Sequence, residues 1–96
     1  MAAKAEYAPV RLDAAGNIRA AAGKLTWLIV TNTNGSTKRI AIFNDAITGE
    51  TGEVFQVGVP ANDTKFLSFN PPMLFTTGIR AGTVGAGLII TGGFVD

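Results

Sequence analysis

Cysteine and histidine are both missing from these 96 residues. Without cysteine there is no disulfide, no thiolate metal site and no thiol nucleophile. Without histidine the commonest general base and the commonest metal ligand are gone. Charge is scarce as well, at 16% of residues against a usual value of about 25%. Eight Lys and Arg against seven Asp and Glu leave a net +1, which gives neither nucleic acid nor anionic lipid a footprint to hold. No apolar segment of the secretory type follows the opening MAAKAE. The longest uncharged run, 81–95, is broken by five glycines and falls short of the about 20 residues a membrane helix needs. The expectation is a soluble single domain, made in a cytoplasm, with no cofactor, metal, membrane, nucleic-acid or small-molecule partner. A mean hydropathy of +0.30 with so few charges leaves much of the surface to face another protein.

What is present is β-forming. Twelve glycines, four prolines and eleven threonines favour short strands and many turns over helix. Residues 1–17 read as an extended arm, with Tyr7, Pro9, Val10 and Leu12 supplying apolar area to lay on a neighbour. Residues 18–96 read as a single β-sandwich domain. Segment 17–20 is a first short strand. Segment 25–30 (LTWLIV) is apolar on both faces, as a strand covered on both sides would be. Asn34-Gly35 suits a tight hairpin into 38–44. Strands at 54–59 and 64–69 follow, the latter alternating Phe66 and Ser68 against Lys65, Leu67 and Phe69. Asn70-Pro71-Pro72 ends it, because proline donates nothing to a ladder. Further strands fall at 73–75, 78–81, 87–91 and 93–95.

Seven or eight short strands without a helix make an all-β protein, a small antiparallel β-sandwich or a jelly-roll-like barrel. The expected core is Trp27, Ile29, Ile40, Ile42, Phe55, Val57, Leu67, Phe69, Ile79 and Ile89. Pro72 and Met73 join the arm residues as candidate partner-binding positions.

Catalytic chemistry has little to stand on. Asp45, Glu50 and Glu53 share one loop, but nothing apolar brackets them to raise a carboxyl pKa, and they lack the dense spacing of a calcium loop. The glycines of 78–93 lead into Leu88-Ile89-Ile90, a β pattern rather than the helix start that cradles phosphate. Trp27 could stack on a sugar, yet its apolar neighbours favour core or subunit interface. The reading is of a protein that is not an enzyme.

Four ordered segments carry a family resemblance. Gly23-Lys24-Leu25 opens a strand ending Val30-Thr31-Asn32-Thr33. Ile40-Ala41-Ile42-Phe43-Asn44-Asp45-Ala46 follows, then Val57-Gly58-Val59-Pro60-Ala61-Asn62-Asp63-Thr64, then Leu74-Phe75-Thr76-Thr77-Gly78-Ile79 before a glycine-rich closing strand. Together they resemble small β-sandwich virion proteins of tailed bacteriophages, over about three quarters of the chain. The resemblance implies a capsid decoration or cement protein on the virion surface, bound to the major capsid protein and bridging capsomers, with a homotrimer favoured. Its alternative is a host-recognition, carbohydrate-binding module of a tail or fibre. The motifs are structural: Asn44 and Asn62 cap turns, Pro60 and Gly78 shape them, and no catalytic, cofactor or metal residue is implied.

Overall fold

The computed structural model describes residues 9–45, 52–82 and 84–95. They form eight strands and, among the described residues, no helix: β1 (Val10–Leu12), β2 (Gly16–Arg19), β3 (Gly23–Asn32), β4 (Lys38–Phe43), β5 (Glu53–Val59), β6 (Asp63–Phe75), β7 (Ile79–Gly82) and β8 (Leu88–Val95). One sheet has the order β1-β8-β3-β6 and the other β2-β7-β4-β5, with every pairing antiparallel. The pairs β1·β8, β2·β7, β3·β6 and β4·β5 are those of one long hairpin. Rolling it so that β8 also meets β3, and β7 meets β4, closes two facing sheets. This winding is the jelly roll, the second of the two architectures expected.

Of the span read as an arm, 10–12 run in β1 and 16–17 in β2. Val10 and Leu12 pair with Gly92 and Ile90 of β8 and pack half-buried against the core. Tyr7 and the rest of 1–8 lie outside the described residues.

The core between the sheets holds Ile18, Leu25, Leu28, Val30, Ile40, Ile42, Val57, Val59, Phe75, Ile79, Leu88, Ile90 and Phe94. Ile40, Ile42, Val57 and Ile79 were expected there; Phe55, Leu67 and Phe69 pack at its margin, with Phe55 and Phe69 ring to ring at 5.8 Å. Trp27, Ile29 and Ile89 were expected there and are not. Leu25 pairs with Phe94 and Trp27 with Gly93, so Thr26 is an extra residue, a β-bulge. Its hydroxyl donates to the Gly93 carbonyl at 2.9 Å. One added residue reverses which face each later side chain takes, so Leu28 and Val30 go inward while Trp27 and Ile29 go outward.

Two other expectations change. Asn34-Gly35 does not make a hairpin, because β3 and β4 belong to different sheets and Gly35 takes no positive φ. The turn arches across the end of the sandwich instead. Pro71-Pro72 does not stop β6, which continues to Phe75 with a cis peptide at Asn70-Pro71. The pairing jumps from Trp27↔Ser68 to Leu25↔Met73, so 69–72 bow away from the ladder. Because β6 is an edge strand, the missing amide donors interrupt nothing beyond it.

Two asparagines pin the two ends. Asn32, 1% exposed, donates through Nδ2 to the carbonyls of Ser36 (2.9 Å), Val59 (3.0 Å) and Pro60 (3.2 Å). Its Oδ1 accepts from the backbone N–H and side-chain Nδ2 of Asn34, both at 2.9 Å. Asn34 reaches on to the Ala86 carbonyl, and Thr33 to that of Gly87. One buried amide thus holds two loops, and Asn34 and Thr33 tie on a third. At the opposite end Asn44 Oδ1 accepts from Thr77 N at 2.9 Å and its Nδ2 donates to Thr76 Oγ1 at 2.9 Å. The turn-capping role implied for Asn44 is visible here, and Asn62, at φ 53°, occupies the left-handed position of its own turn.

Asn32→Ala should lower unfolding free energy by about 3 kcal/mol, because carbonyls of two loops and the amides of Asn34 lose their buried partner together. Gly35→Ala, where a Cβ meets nothing within 4 Å, should stay within about 0.5 kcal/mol. Urea titrations of both variants check the pair. Removing 1–12 strips β1 and the packing of Val10 and Leu12, and should cost about 2 kcal/mol.

A candidate interaction face

The β3 bulge gives the first sheet a second apolar face, directed away from the core. Directly paired residues share a face, so the register reads off its rows. Ile89, Thr31 and Thr64 make one row; Arg11, Thr91, Ile29 and Phe66 make the next. Gly93, Trp27 and Ser68 follow, and beyond the bulge come Val95, Lys24 and Leu74. Rows about 7 Å apart on strands about 4.8 Å apart spread this face over roughly 300 Å². Within it Ile89, Ile29, Phe66, Trp27 and Leu74 are the large apolar side chains, set among Thr31, Thr64, Thr91, Ser68, Arg11 and Lys24, and such a patch on a small domain is often functional.

Its members differ in how open they are. Phe66 and Leu74, both on edge strand β6, are 63% exposed. Trp27, Ile29 and Ile89 are half-buried by their neighbours on the same sheet. The indole of Trp27 lies over Gly93, so closely that a Cβ there would collide with Trp27 Nε1. Glycine at 93 is what allows the indole to lie down on β8. Thr31 and Thr64 share a cross-strand hydroxyl hydrogen bond at 3.2 Å, which leaves that row's polar atoms partnered.

The outer face of the second sheet is different. Ala41, Phe43 and Arg80 alternate there with the core-facing Ile40, Ile42, Ile79 and Ala81, yet Ala41, Phe43 and Arg80 are themselves 2%, 5% and 8% exposed. Val54 on β5, 45% exposed, is the second sheet's one exposed large hydrophobic among the described residues, so the larger open apolar area lies on the first sheet.

Of the expected partner-binding residues, Tyr7 lies outside the described residues. Pro9 is exposed, but Val10, Leu12 and Met73 point toward the core and pack against it. Pro72 is half-buried in the bowed stretch of β6. Leu74, next to Met73, is the exposed residue of that segment. Sequence reasoning listed Trp27, Ile29 and Ile89 as core, though it weighed a subunit interface for Trp27, and it set Phe66 opposite Leu67 and Phe69 without naming it a partner-binding residue. The signal was the two-sided apolarity of 25–30, which was read as burial on both sides.

Among the described residues, no cluster of three acidic side chains could hold a metal ion. Asp45 is buried, Glu53 accepts a hydrogen bond from Gln56, and the rest of their loop lies outside the described residues. Among the described residues, no helix is long and apolar enough to cross a membrane. Compared with protein-family models, curated proteins and solved structures, the chain matches none.

Gly93→Ala should lift the indole off β8 and expose it. Trp27 is the only tryptophan, so the expected outcome is a red-shifted emission maximum and stronger acrylamide quenching. A stability loss of about 1–3 kcal/mol should accompany it.

Proposed function

We propose that this chain is a structural virion protein of a tailed bacteriophage, a decoration or cement protein that docks on the capsid surface and bridges capsomers. The observation that carries the reading is the open apolar face of the first sheet on a domain whose core is already complete. A monomer gains nothing from Trp27, Ile29 and Phe66 on its surface, whereas a shell-bound subunit buries them at each contact. The four ordered segments of the phage resemblance support the same reading, and so does the low charge. A homotrimer on the head fits a small sandwich with an adhesive face. Many copies then turn modest single contacts into a stable brace by avidity.

A second reading is favoured by one observation, the indole of Trp27 lying flat on an outer face. Such a ring is a platform for a sugar, as a host-recognition module on a tail or fibre would use.

Immunogold electron microscopy of particles bearing this chain separates the two readings. Gold over the head faces is the expected result; gold confined to the tail or fibre tips, with binding to one sugar class on a glycan array, would replace it. Phe66→Glu should leave a folded domain and reduce the amount sedimenting with heads at least about tenfold, since Phe66 is 63% exposed on an edge strand.

A further inference from the structure

The open face is framed by charge of one sign. Arg11 stands on β1 at one end of the Ile29–Phe66 row, and Lys24 stands in the row beyond the bulge, beside Leu74. No acidic residue occupies any position of the four rows. Asp13, the nearest acid along the chain from β1, sits in the exposed β1–β2 bend. From strand and residue spacings the two cations stand roughly 17 Å apart. That exceeds a Debye length of about 8 Å at physiological salt, so each calls for its own counter-charge.

We propose that the partner of this face is a protein surface carrying carboxylates on either side of an apolar centre, one opposite Arg11 and one opposite Lys24, with Trp27, Ile29 and Phe66 covered between them. The inference rests on the shell-docking reading and adds the chemistry of its partner. A second copy of this chain does not fit the face. Two such faces together would desolvate four cations and, among the described residues, bring no carboxylate of the four rows to pair with them. Two cations are likewise too few to hold a flat sheet on an anionic bilayer.

The test uses the full chain and Trp27 emission, independently of heads. The probes are two soluble peptides of alternating leucine, one with glutamate and one with lysine at the intervening positions. The expected result is a blue shift with the acidic peptide, at least about tenfold tighter than with the basic one. The shift should weaken in 0.5 M salt, by about tenfold in R11Q/K24Q, and vanish in R11E/K24E, with unchanged circular dichroism throughout. Equal response to both peptides, no response to either, or indifference to the charge variants overturns the proposal. So does a blue shift that grows with protein concentration alone, which would assign the face to a second copy, or one produced by anionic vesicles and not by the acidic peptide. Head binding that persists while the peptide test fails leaves the shell reading standing without this partner chemistry. Peptide binding without head binding does the reverse.

Discussion

The outer face of the first sheet depends on Thr26 being one residue more than β8 can match. Leu25 and Trp27 meet adjacent residues of β8, Phe94 and Gly93, and the Thr26 hydroxyl holds the bulge by donating to Gly93. With strict alternation from Leu25, Trp27 and Ile29 would enter the core and Leu28 and Val30 would leave it. The extra residue exchanges those sets while both remain apolar, so the core is filled either way and only the surface changes character.

That exchange explains how much was legible beforehand. The strands of β4, β5 and β7 and the alternation of 64–69 could be read from period alone, because only one of their faces suits the core. In β3 and β8 both faces are apolar, so period two cannot say which turns inward, and the outward choice belongs to a bulge that leaves little trace in composition. The reading of Asn34-Gly35 as a hairpin failed for a related reason. Turn chemistry reports a bend, but not whether the next strand joins the same sheet. Here the buried Asn32 side chain, bonded to carbonyls of two loops, directs β4 across to the opposite sheet.

The candidate site was legible only as a quantity. Low charge and positive hydropathy say that some surface is owed to a partner, yet they do not place it. Placement needed the register, which moved the apolar surface from the arm and Met73 to the four strands of the first sheet. The prolines of β6 show the same dependence: at an open edge they cost no ladder bond, and there a stop signal loses its force.

The rolled-hairpin order also bears on how the domain assembles. β8 is the eighth strand in sequence but lies second in its sheet, between β1 and β3. The first sheet therefore has no continuous hydrogen-bonded layer until β8 enters between two strands far earlier in the chain. Pairings this distant in sequence close large loops before they gain contacts, which slows folding. Until that insertion, β3 presents an unpaired edge and apolar side chains on both faces. The adhesive quality that suits the finished protein to a partner is then at its greatest in the unfinished one, where encounters between nascent copies would compete with completion.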